Sequence, residues 1–201
     1  MPKKVNHIER RKLFAKAAIA VIAEKGLENL RLVDIAREAG LTTGSLTHYF
    51  NDKDQVIAAA LDQVIETAFA QTGGNRTNDS LAAGLAAFLP LDEESHAASR
   101  VWIAFFSHSL GRPSLSDVHR LYYEEFVETL VTALKNTPAL KARSSAELTD
   151  IANLLIALVD GLLVRATLDP KNWPAARQMQ HLKMGIQAFT SPILETEELL
   201  K

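Results

Sequence analysis

The chain has 201 residues, 47% hydrophobic and 23% charged, which gives enough apolar matter for a sizeable core in one or two domains. Such a composition excludes a largely disordered chain, and the absence of cysteine excludes disulfides, cysteine-ligated metal centres and thiol catalysis. The net charge of −2 argues on average against a nucleic-acid binder, but residues 1–60 carry ten Lys/Arg against seven Asp/Glu while the remaining 141 carry twelve against seventeen.

Basic charge is densest at the start: Lys3, Lys4, Arg10, Arg11, Lys12 and Lys16 stand against Glu9 alone within residues 1–16. Such an arm is fit to meet phosphate, and equally fit to be a solubilising, frayed terminus. No apolar run with a small-residue cleavage site follows it, so the expected location is the cytoplasm. From there the apolar spacing predicts helix almost throughout, because no period-two alternation bounded by turns occurs. The fold class expected is all-α, with about nine helices in a small N-terminal group (1–53) and a larger C-terminal one (54–201).

A first helix is predicted over Ile8–Lys25, with Phe14, Ala18, Val21 and Ile22 on one face and Gly26 as a left-handed stop. Two short helices follow at Leu32–Ala39, ended by Gly40, and Gly44–Phe50. Asn51 or Asp52 then caps a longer helix from Lys53 to about Ala70. Residues 71–80 read as a loop. Further helices are predicted at Leu81–Leu89, Ser95–Leu110, Ser114–Lys135, Ala146–Leu168 and Pro174–Leu194, with prolines marking the soft boundaries. Ile151–Leu168 is the most membrane-like stretch, about 27 Å long if helical. Asn153, Asp160 and Arg165 within it are costly in lipid, so the expectation is a helix buried at a subunit interface and no membrane partner. The Met179, Leu182, Ile186 and Phe189 stripe would complete a four-helix dimer interface, with Gly161 permitting close approach; a helix buried within one chain is the alternative.

Residues 32–50 have the dimensions of a helix-turn-helix: two helices under three turns, joined by about four residues with a glycine at the first one's end. Ile35, Ala39, Leu46 and Phe50 are predicted to bury against the first helix, and Ala36 leaves room for a close crossing. Thr42, Thr43, Gly44, Ser45, Thr47, His48 and Tyr49 then face outward. Small hydrogen-bonding side chains at a helix N-terminus suit phosphates and base edges in a major groove, with Tyr49, His48 and Lys53 suited to the backbone. An ordinary helical corner with solvated polar residues fits the same geometry.

Gly26 through Lys53, with Asp34-Ile35-Ala36, Ala39-Gly40, Gly44-Ser45-Leu46 and the run 48–53 (His-Tyr-Phe-Asn-Asp-Lys), resembles the DNA-binding domain of the TetR family of transcriptional regulators. The resemblance covers roughly residues 8–65. It implies an all-helical homodimer on a near-palindromic operator, a three-helix DNA-binding head and a C-terminal domain that senses a small-molecule effector, most simply as a repressor released by an inducer. Matching positions imply DNA contacts by Thr43, Ser45, Tyr49 and Lys53, with Thr42, Leu46 and His48 close by. Arg31 departs from the Ser or Thr that commonly caps the second helix and is a further candidate for phosphate. A weaker likeness, in residues 100–106 and 158–166, is to the subgroup containing the choline-responsive repressor of glycine-betaine synthesis.

Candidates to line an effector cavity are Trp102, Phe105, Phe106 and Ser109 at helical spacing. Tyr122, Tyr123 and Phe126 form a second aromatic set, and Asn153 and Asp160 supply polar groups. Aromatic faces beside an acid would suit a quaternary ammonium, attracted by about 0.5–2 kcal/mol per ring. The same aromatics would serve as solid core in a DNA-binding protein without an effector, or in a helical carrier. No cofactor and no enzymatic activity are expected: the six histidines have no metal-ligand spacing, and neither a glycine-rich phosphate loop nor a nucleophile elbow occurs.

Overall fold

The computed structural model describes residues 7–71 and 78–191, so Lys3, Lys4 and most of the segment read as a loop at 71–80 lie outside it. Among the described residues there are nine α-helices and no strand: α1 (His7–Lys25), α2 (Leu32–Glu38), α3 (Thr43–Tyr49), α4 (Lys53–Gln71), α5 (Asn78–Ala86), α6 (Glu93–Ser109), α7 (Pro113–Lys135), α8 (Ser145–Leu168) and α9 (Ala175–Thr190). Helix α5 begins at Asn78, inside the predicted loop. Asn, Asp and Ser compete with backbone hydrogen bonds in composition-based reasoning yet are tolerated in a first turn. The last helix ends at Thr190, short of the predicted Leu194, which lies outside the described residues.

Local chemistry sets the helix ends. Helix α2 closes in a Schellman motif: the Leu41 N–H donates to Ala36 O at 2.8 Å and the Gly40 N–H to Arg37 O at 3.0 Å. Gly40 takes φ +66°, which a side chain would resist. Helix α4 is capped by Asp52, whose Oδ1 accepts from the Gln55 N–H at 2.8 Å. Capping boxes open α6 (Asp92 with Ser95) and α8 (Ser144 with Glu147). Arg31 precedes α2 with no side-chain cap, so that helix end lacks the usual acceptor.

Two buried clusters result. The head core joins Phe14, Ala18, Val21 and Ile22 of α1 to Ile35, Leu46, Phe50, Ile57 and Leu61, and Val101, Phe105 and Leu115 of the body close over it. Burying each such Leu, Ile or Phe stabilises by roughly 1.5–3 kcal/mol. The body core is built from α5, α7, α8 and α9 around Leu85, Leu134, Leu155 and Leu182. Helix α8 is long and apolar enough to cross a membrane by length and composition alone. Here its Leu148, Ala152, Leu155, Val159 and Leu162 are buried against its neighbours.

The predicted interface stripe of the last helix is corrected. Leu182 (0% exposed) and Ile186 (8%) pack inside the chain's own body core, which Met179 and Phe189 also flank. The outward apolar positions are Leu154, Val164 and Leu168 of α8 and Met184 of α9. A 3.6-residue period places only one face of each helix outward, and composition alone does not say which. Gly185 of α9 abuts α8, where an added Cβ would overlap the Leu158 side chain.

Candidate functional site

The head presents α3 on its outer surface. Thr42, Gly44, Thr47 and His48 are exposed, and Thr43, Ser45 and Tyr49 are half-buried. Thr42 caps the helix, its Oγ1 accepting from the Ser45 N–H at 3.1 Å, and the Thr47 hydroxyl donates to Gly44 O at 3.2 Å. Leu46 is a correction: it is 0% exposed, plugged into the head core, and therefore positions α3 without reaching DNA. Tyr49 is held from two sides. Its ring meets that of His7 at a tilt, centroids 4.6 Å apart, and its carbonyl accepts from the Arg11 guanidinium at 2.7 Å, while Arg11 also lies over Phe50 at 4.4 Å. Lys53 donates from Nζ to Leu27 O at 3.0 Å, tying the loop after α1 to the start of α4. Arg31 is exposed. Arg11 was legible only as a member of a basic arm and His7 not at all; their contact with Tyr49 depends on how α1 crosses α3.

In the body, a cavity of about 190 Å³ opens between α1, α4, α6, α7 and α8. Of the candidate residues, Trp102, Tyr122, Tyr123, Phe126 and Asp160 line it, joined by Phe69 and Phe88. Phe69 meets Phe88 and Phe126 edge-on at 5.5 and 6.0 Å, and Phe88 and Phe126 lie tilted on each other at 4.5 Å. Trp102 stacks on Tyr123 at 6.1 Å. The Tyr123 hydroxyl donates to Asp160 Oδ2 at 2.6 Å. Burial raises the Asp160 carboxyl above its ordinary range, against the smaller opposing pull of hydrogen bonds from Tyr123 and Trp102. Burial and the neighbouring Asp160 likewise push the Tyr123 phenol upward, so it keeps its proton and serves as donor. An incoming cation would compensate this desolvated carboxylate.

Four predicted lining residues are corrected. Phe105 is 1% exposed and points into the head core. Phe106 packs behind the wall, edge-on to Trp102 at 5.4 Å and to His119 at 4.7 Å. The Ser109 hydroxyl donates to Phe106 O within α6. Asn153 is exposed and donates to Thr149 O. All four share helices with true lining residues but fall on other faces. Among the described residues, no group of three His, Cys, Asp or Glu could hold a metal ion.

Two family models match the chain in tandem: "Bacterial regulatory proteins, tetR family" over residues 15–60 and "BetI-type transcriptional repressor, C-terminal" over residues 77–191. The chain belongs to the TetR family. As a TetR-family protein with a BetI-type C-terminal region, it is a helix-turn-helix transcriptional regulator rather than an enzyme. It is 33% identical to the transcriptional regulator PksA of Bacillus subtilis, over 85% of this chain and 84% of that protein. Against the transcriptional regulator BetI of Burkholderia mallei it is 30% identical, over 89% and 93%. Among solved structures, a transcriptional regulator from Rhodococcus superposes with TM-score 0.78 at 28% identity, covering 89% of this chain and 95% of that one. A regulator from Saccharomonospora viridis in complex with choline shares the fold at TM-score 0.76 and 21% identity, over 90% and 96%.

Proposed function

We propose that this TetR-family regulator is a cytoplasmic, homodimeric repressor whose head (residues 1–53) binds a near-palindromic operator. An organic cation bound in the body (residues 54–201) releases it. The observation that carries the reading is the Asp160 carboxylate, desolvated at the wall of an aromatic cavity of about 190 Å³. Ring faces and a buried anion together favour a cation over a neutral metabolite, and Asp92 and Glu94 in the same wall outweigh the single positive charge of Lys16. The choline held by the S. viridis regulator is of that chemical class.

Thr42, Thr43, Gly44, Ser45, Thr47, His48 and Tyr49 then face the major groove, with Lys53 and Arg31 toward phosphates. Dimerisation is supported by the apolar face of α8 and α9, where Leu154 is 49% exposed, Leu168 74% and Met184 57%. Two heads held by that interface meet half-sites about one DNA turn apart. The effector acts only by binding one spacing of the heads better than the other.

Calorimetric titration with choline and a panel of quaternary and neutral amines tests the class. Saturable binding of a quaternary member, lost in Asp160→Asn, is expected. Binding confined to neutral compounds, or unchanged by Asp160→Asn, refutes it.

A further inference from the structure

Helix α1 belongs to the DNA-binding head, yet it also lines the cavity in the body. Lys16 and Ile19 of α1 stand in the same wall as Gln63, Val64 and Thr67 of α4. Helical periodicity divides α1 into two working faces. Residues 12, 16, 19 and 23 recur at i, i+4, i+7 and i+11 and face the body. Lys12 pairs with Glu66 at 2.7 Å, Lys16 and Ile19 meet the cavity, and the Ala23 carbonyl accepts from the Arg100 guanidinium of α6 at 3.0 Å. Residues 7, 11, 14 and 18 lie on the opposite face and hold the recognition helix. There the His7 ring packs at a tilt against Tyr49, Arg11 donates to the Tyr49 carbonyl, and Phe14 touches both Tyr49 and Phe50.

We infer that α1 is a direct relay from effector to DNA, with Lys16 and Ile19 as positioning residues that the bound effector displaces. This rests on the proposed use of the cavity as the effector site. The path is short: nine residues of rigid helix separate Lys16 from His7, about 14 Å. Both ends are constrained in ways that favour a lever. The C-terminal end is tied to α6 by Arg100, and the N-terminal turns grip the side of α3 through one tilted ring contact and one charge-assisted hydrogen bond. A cation that presses on half-buried Ile19 and repels the exposed Lys16 ammonium at the cavity rim tilts the N-terminal turns and carries Tyr49 with them. Helix α4 lines the same cavity, so it is the competing route, and the experiment must separate the two.

The absence of cysteine makes that separation practical, because one introduced thiol is unique. Ala98 of α6 lines the cavity and is half-buried. In Ala98→Cys, a methanethiosulfonate reagent carrying an ethyl-trimethylammonium group plants a quaternary cation in the cavity, and a reducing agent removes it. The readout is the ratio of affinities, before and after modification, for a duplex the protein has itself selected from a random pool. Modification is expected to weaken binding on the order of tenfold or more, reversibly. Adding Lys16→Ala with Ile19→Ala is expected to bring the ratio below about threefold, while Gln63→Ala with Val64→Ala on α4 leaves it near tenfold. A ratio unaffected by the α1 pair, or reduced equally by both pairs, overturns the relay and leaves the effector site standing. No effect of modification in Ala98→Cys itself overturns the effector site, and the relay with it. Should the Ala98→Cys adduct unfold the chain, as circular dichroism would show, Ala87→Cys, which also lines the cavity, is modified and read in the same way.

Discussion

The head and the body solve opposite packing problems. The head is solid: Phe14, Ile35, Leu46 and Phe50 are each at most 1% exposed, and its working groups are short side chains displayed on the outside of a seven-residue helix. The body is hollow: its working groups point inward, from five helices, into about 190 Å³ of space. An interior void of that size costs a fold on the order of a few kcal/mol in lost contacts. A surface that reads DNA needs rigidity, whereas a sensor needs room that a ligand can fill, and the two are joined where α1, α4 and α6 belong to both.

That contrast is broken most severely by matched truncations. Phe50→Ala in the solid head should destabilise by about 3–5 kcal/mol and abolish duplex binding. Phe126→Ala, at the edge of the hollow, should cost less than about 2 kcal/mol, because its wall already lacks partners on one side. Equal losses in denaturant melts would show that the body is packed as tightly as the head.

Next in size are the charges proposed to face DNA. Arg31→Ala should leave the melting temperature unchanged while weakening duplex binding and lowering its salt slope by about 1. Lys53→Ala should lower the slope similarly but also destabilise the head, because its Nζ satisfies Leu27 O. A full slope in both variants would remove these side chains from the phosphate contacts.

The difference between the regions also governs what could be read beforehand. The head's motif is local: Gly40, the Thr42 cap and the outward face of α3 follow from neighbours in sequence, and the basic excess of residues 1–60 points the same way. Leu46 shows the limit even there, since a position adjacent to the proposed contact residues is claimed by the core. In the body, the aromatic and acidic character of the site was legible in Trp102, Tyr122, Phe126 and Asp160. Which face of α6 met the cavity was not. Phe105, Phe106 and Ser109 share that helix with Trp102 but project elsewhere, and Phe69, Phe88 and Lys16 arrive from distant segments with no common spacing.

Smaller effects come from titration, with opposite signs in two places of the body. The Asp160 carboxyl is raised in the folded protein, so its stabilising contribution is present below the unfolded carboxylate range and is lost as pH rises through the folded value. Asp160→Asn should flatten that part of the melting-temperature profile and gain relative to the parent at neutral pH. Glu147 is held down to about 2 by Arg143 and the Ser144 capping box, so its contribution is present at neutral pH and lost as pH falls toward 2. Glu147→Gln should melt slightly lower at pH 7 and equally at pH 2. A reversed order in either melting series would contradict the corresponding assignment.

The most direct measurement is fluorescence anisotropy of the protein on a duplex it has itself selected, titrated with choline and other quaternary amines. At least one such cation should release the wild-type protein saturably, and the same cation should fail to release Asp160→Asn. If every cation leaves the complex intact, or releases both proteins equally, the cavity at Asp160 is not the switch.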